Sequence, residues 1–121
     1  MKKQEFVPYE EAFALKKLGF DETTLGKYVF KELQIGGIWK DSVKSIVLQK
    51  APLYQQAFRF FREEYGLVCG VREVCKGKYS FEIKRWEDYS FSSIGVDSWA
   101  MAELDCLRKL IEIVKENWNL K

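Results

Sequence analysis

The sequence predicts an α+β fold: three helices packed on a small, mostly antiparallel sheet, in the order α-β-β-α-β-β-(β)-α, within a single domain of residues 1–121. Three observations carry this. Apolar residues recur at helical spacing in "PYEEAFALKKLG", "PLYQQAFRFFREEYG" and "DSWAMAELDCLRKLIEIVKEN". They alternate at strand spacing in "KYSFEIK". Glycines punctuate the chain between these stretches, and the only prolines, Pro8 and Pro52, stand where helices should begin. With 47% hydrophobic and 31% charged residues, the composition is that of one folded domain rather than a disordered segment.

The first helix is expected from about Pro8 to Leu18, with Tyr9, Ala12 and Leu15 on one broad side and Gly19 as its stop. Residues 20–50 are read as two short strands, "KYVFKEL" and "KSIVLQ", with Gly36-Gly37 as the turn between them. That glycine pair lacks the spacing of a phosphate-binding loop.

The second helix, opened by Pro52, is rich in rings. At 100° per residue Tyr54, Ala57, Phe58, Phe61 and Tyr65 fall within one core-facing stripe, and Gln55, Arg59, Arg62 and Glu63 occupy the polar arc. Burial therefore explains every ring except Phe60, which lies off the stripe. Gly66 ends the helix.

A hairpin follows. Tyr79, Phe81 and Ile83 alternate with polar residues, and Leu67, Cys69, Val71 and Cys75 share a face of the preceding strand. A three-residue loop, Lys76-Gly77-Lys78, keeps the apolar faces matched, with Cys75 opposite Tyr79 and Val71 opposite Ile83; a two-residue loop would set Arg72 against Phe81. "DYSFSSIG" reads as a third strand. The last helix, capped by Asp97 or Ser98, carries an apolar stripe of Trp99, Ala102, Cys106, Leu107, Leu110, Ile113 and Val114. Glu103 falls within that stripe and must be paired, neutral or at its rim.

The absence of histidine excludes Ser-His-Asp and Cys-His catalysis within the chain and every histidine-containing zinc site. Cys69 and Cys75, six residues apart on one strand, are about 20 Å apart and cannot share a metal. The three cysteines read as free thiols, with Cys106 a small core residue. No motif assembles a reaction class, and the expectation is a non-enzyme with no cofactor and no metal. No apolar run reaches bilayer length and no signal peptide opens the chain, so a soluble cytoplasmic protein is expected.

Two surfaces are candidates for binding. Trp86, Tyr89, Phe91 and Phe60 are the rings least explained by helical stripes, and they point to a protein partner. Lys76, Lys78, Lys84 and Arg85 against the single acid Glu82 give residues 76–85 a local charge of +3, and they point to a nucleic-acid backbone. The plainer reading of that basic stretch is a strand edge blunted by lysines. Net charge over the whole chain is only +2.

Two resemblances add to this. The order helix–strand–strand–strand–helix over residues 52–117 resembles the topology of the double-stranded-RNA-binding domain. That family grips phosphates with lysines at the start of its last helix; here the stretch is the acidic "DSWAMAE", so the role is not carried over. The segments "FVPYEEAFALKKLGFDE", "APLYQQAFRFFREEYGL" and "AELDCLRKLIEIVKEN" resemble, in the same order, a family of small uncharacterised proteins encoded by phages and mobile elements of gut Bacteroidetes. The resemblance implies an accessory protein made in a bacterial host cytoplasm and brings no activity with it. The reading is then a protein-interaction module acting on a host or phage protein, with self-association open; a nucleic-acid-binding accessory protein is the alternative.

Overall fold

The computed structural model describes residues 3–29, 31–39, 48–85 and 89–117. The chain falls into two compact units, Met1–Ala57 and Phe58–Lys121. The α+β class agrees with expectation and the element order does so roughly, but the strands form two three-stranded antiparallel sheets rather than one.

Unit 1 opens with a 3-10 turn, Lys3–Glu5, followed by α1, Tyr9–Lys17. Pro8 is the N-cap of α1, and the helix closes where the Leu18 and Gly19 amides bond back into the last turn. Gly19 takes φ +107°, a conformation open to glycine at little cost. Strands β1 (Thr24–Val29), β2 (Glu32–Trp39) and β3 (Leu48–Ala51) form a sheet in the order β2-β1-β3. β1 alternates strictly, with Thr24, Gly26 and Tyr28 buried. Gly26 leaves room for the buried Phe6 ring: a Cβ there would sit 2.8 Å from a ring carbon. Phe6, Val7, Ala12, Leu15, Phe20, Tyr28, Ala51 and Tyr54 are all buried.

Three readings of this half change. "KYVFKEL" is not one strand: the chain turns at Lys31, at φ +68°, between β1 and β2. Gly36-Gly37 is not a turn but lies inside β2. Between the pairs Gly26↔Ile35 and Thr24↔Trp39, β1 has one intervening residue and β2 has three, so the glycines mark a bulge. The first half thus holds three strands among the described residues where two are expected, and most of "KSIVLQ" lies outside those residues.

α2 spans Tyr54–Tyr65, across the boundary of the two units, and ends at Gly66 with φ +69°. Tyr54, Ala57 and Phe61 are buried as the stripe requires. In unit 2, β4 (Val68–Cys75), β5 (Lys78–Arg85) and β6 (Tyr89–Ser92) pair in that order, and α3 (Trp99–Asn117) lies against β5 and β4. Ala102, Cys106, Leu107, Leu110, Ile113 and Val114 of α3 are buried, facing Phe81 and Ile83 on the odd-numbered face of the sheet. Leu→Ala at a site such as Leu107 would cost about 2–5 kcal/mol.

The hairpin keeps its apolar faces matched by a different device from the three-residue loop. The turn is Lys76-Gly77, with Cys75 opposite Lys78, and β4 then bulges between Glu73 and Cys75. The extra residue, Val74, restores Val71 to Phe81 and Cys69 to Ile83. A two-residue turn without the bulge would have put Arg72 there instead.

Candidate protein-interaction surface

β6 leaves the sheet gradually. Glu82 pairs with Ser92, the Ser93 amide donates to the Phe81 carbonyl at 3.0 Å, and the Phe81 amide donates to the Ser93 hydroxyl at 3.0 Å. Three residues on, Val96 exchanges two backbone hydrogen bonds with Tyr79, of 2.8 and 2.7 Å. The chain then enters α3 through Ser98, whose hydroxyl accepts the Met101 amide at 3.1 Å; of the two expected caps, Ser98 is the one used.

Asp97 has another partner. Its carboxylate is hydrogen-bonded and ion-paired to the Lys78 ammonium at the start of β5. That contact holds the Asp97 carboxyl below its ordinary range and the Lys78 ammonium above its own. Trp99 packs edge-on against Tyr79, with ring centroids 5.9 Å apart.

Residues 94–101 are therefore anchored by backbone pairing, an ion pair, a cap and a ring contact. They are nevertheless exposed at every position but Val96, which is half-buried. Ile94 is 87% exposed, Met101 51% and Trp99 47%. Val74, 48% exposed, adjoins them, since a Cβ on Gly95 would lie 3.6 Å from its methyl carbon. Large apolar side chains exposed on an anchored backbone make this segment the candidate binding surface. Glu103, half-exposed one turn beyond Trp99, sits at the rim rather than within the buried stripe.

Of the rings expected to bind a partner, Trp86 lies outside the described residues. Tyr89 begins β6 opposite Arg85, and its side chain is likewise outside what is described. Phe91 is half-buried, stacked on Phe81 with centroids 5.7 Å apart and lying under the Lys109 ammonium at 4.6 Å. Phe60 is 5% exposed and packs edge-on against Phe61 and Tyr65, so it offers no ring to a partner. The stripe argument placed it off-face because it assumes one buried side, and α2 is buried over a wider arc.

The basic residues are brought together only in part. β5 is the central strand, so its lysines do not blunt an edge; the edges are β4 and β6. Lys76 is exposed in the turn, Lys78 is tied to Asp97, and Lys84 pairs with Glu82 at 3.1 Å on the even face. Arg85 is half-buried on the opposite face. Helical spacing sets Met101 on the water-facing side of the last helix, as observed, but gives no sign of Ile94 as a surface group. Helical spacing also sets Trp99 in the buried stripe, but residues 99–101 at the start of α3 are exposed, and Trp99 is 47% exposed there.

The Cys106 thiol is held far above the ordinary thiol range, first by its hydrogen bond with the Cys69 thiol and then by burial. No three of Cys, Asp and Glu gather as metal ligands among the described residues, and no described helix is long and apolar enough to cross a membrane. No family model, curated protein or solved structure matches the chain.

Proposed function

We propose that the protein is a non-enzymatic interaction module, a small accessory protein of phage or mobile-element type that works in a bacterial host cytoplasm on a host or phage protein. The observation that carries this reading is the anchored segment 94–101, which displays Ile94, Trp99 and Met101 at the surface while four separate contacts hold its backbone. A fixed apolar patch binds at low ordering cost, and an exposed tryptophan is a characteristic anchor. The surrounding chain is acidic, with seven acids against four bases over residues 87–121. The matching partner surface is an apolar patch with a basic rim.

The test is capture from host lysate by immobilised protein, with bound proteins identified by mass spectrometry. Wild type is expected to retain a protein that Ile94→Asp and Trp99→Ala both lose, with Ile94→Asp melting as wild type does because the side chain is exposed. Equal capture by wild type and Ile94→Asp would overturn the assignment of the patch. Anisotropy with labelled single- and double-stranded oligonucleotides at about 50 and 200 mM salt tests the nucleic-acid alternative, whose signature is steep loss of binding with salt. Tight, salt-sensitive binding lost on neutralising Lys76, Lys78, Lys84 and Arg85 would replace the protein-partner reading.

A further inference from the structure

β4 is an edge strand whose outer hydrogen-bonding groups meet no other strand among the described residues. Which groups these are follows from the register. On β5, Tyr79 and Phe81 direct their backbone groups towards Val96 and Ser93, away from β4. The even residues of β5 therefore serve β4, through the pairs Val68↔Lys84, Gly70↔Glu82 and Arg72↔Ser80. Along β4 the N–H and C=O groups of Cys69, Val71 and Glu73 consequently point outward.

The even face of the same strand has an unusual relief. Gly70 has open space where a side chain would be, and around it Val68, Gly70, Arg72, Glu82 and Lys84 line a hollow of about 300 Å³. Arg72 is exposed, Val68 is 53% exposed, and Glu82 lies across the hollow from Gly70 on β5.

We infer that β4 pairs antiparallel with β4 of a second copy of this chain, about a two-fold axis at Val71. A two-fold axis normal to the sheet keeps each face continuous, so only residues of the same parity can lie opposite one another. Charge excludes two registers, and the open space at Gly70 selects the one that sets Arg72 opposite it. Centring on Arg72 sets arginine against arginine, and centring on Glu73 sets glutamate against glutamate; both are unfavourable. Centring on Val71 places Cys69 opposite the second copy's Glu73 and Arg72 opposite its Gly70, over the hollow. Arg72 then reaches the Glu82 carboxylate of the other copy, one strand further on, and the contact occurs twice by symmetry. Val68 comes beside the other copy's Val74, covering two exposed valines. Each outward pair exchanges two backbone hydrogen bonds.

One pair of strands buries little area, so the dimer is weak, populated at about 100 μM and dissociated well below that. Sedimentation velocity across that concentration range reads it directly. Arg72→Glu and Glu82→Arg should each shift the protein to monomer by placing like charges together. The double variant Arg72→Glu/Glu82→Arg should restore the dimer, which a merely structural role for either residue would not do. Circular dichroism melts of the three variants check that the fold persists. A wild type that stays monomeric throughout, or a dimer indifferent to both reversals, overturns the inference. The edge shares only Val74 with the patch at 94–101, so the two readings fail separately. Partner capture by a strictly monomeric chain sinks the dimer and leaves the proposed function standing. A charge-swappable dimer with no Ile94-dependent capture does the reverse.

Discussion

The Tyr28 hydroxyl donates a 2.8 Å hydrogen bond to the carbonyl of Val7, twenty-one residues earlier in the chain. It ties the end of β1 to the segment entering α1, with the Tyr9 ring packed edge-on at 5.5 Å. Burial first, and Glu11 second, raise the Tyr28 pKa above the ordinary tyrosine value. The neutral phenol is thus the form the fold favours. Its contribution is complete below the unfolded tyrosine value, near pH 10, and is lost as pH rises through the higher folded value. Tyr28→Phe should cost about 1 kcal/mol in urea unfolding and remove, from an ultraviolet pH titration, a phenol that titrates above the ordinary tyrosine value.

Gly26 and Gly70 should respond in opposite ways to the same substitution. A Cβ on Gly26 would stand 2.8 Å from Phe6 and 3.3 Å from the Ala51 Cβ, both in buried residues. Gly26→Ala is expected to destabilise by about 1–3 kcal/mol through overpacking. Nothing lies within 4 Å of the equivalent position at Gly70, so Gly70→Ala should fall within about 0.5 kcal/mol of wild type. Denaturant midpoints at a concentration low enough to hold the chain monomeric decide both.

The Lys78–Asp97 pair should respond to pH from both sides. Asp97, with its pKa depressed, contributes above the ordinary carboxylate range and loses that contribution as pH falls through its lowered value. Lys78, with its pKa raised, contributes below the ordinary lysine range and loses it as pH rises through its raised value. The pair is therefore intact between about pH 5 and 10. Lys78→Met should let the Asp97 carboxyl titrate at a higher pH, measured by NMR of the side-chain carbon. An unchanged titration would show that Lys78 does not set it.

Thiol labelling should follow depth. Cys75 is exposed, Cys69 half-buried and Cys106 buried with its thiol far above the ordinary range. With Ellman's reagent in the native protein, Cys75 is expected to react first and Cys106 last, with Cys106 becoming reactive only on unfolding. Fast reaction at Cys106 would mean that the interface of α3 with β4 opens readily.

Several elements were legible because their signal is local. The stripe in α3, the alternation of Tyr79, Phe81 and Ile83, and the glycines at 19 and 66 each state a period or a backbone conformation that short-range sterics enforce. The candidate surface was hardly legible at all. Helical spacing turns Met101 to water, but Ile94 and Trp99 belong to types that normally lie inside, and their exposure depends on what covers the start of α3.

The sequence by itself determined the α+β class, the approximate order of helices and strands, and the exclusion of histidine chemistry, because composition and period suffice for these. Only the tertiary structure decided the rest. Two sheets form instead of one, Gly36-Gly37 bulges a strand rather than turning it, and Val74 restores the register that a loop was expected to supply. Phe60 is buried, and Asp97 turns to Lys78 while Ser98 caps the helix. Each depends on which distant residue stands opposite. Pairing between strands and burial beneath a helix are long-range contacts, and no window of neighbouring residues specifies them.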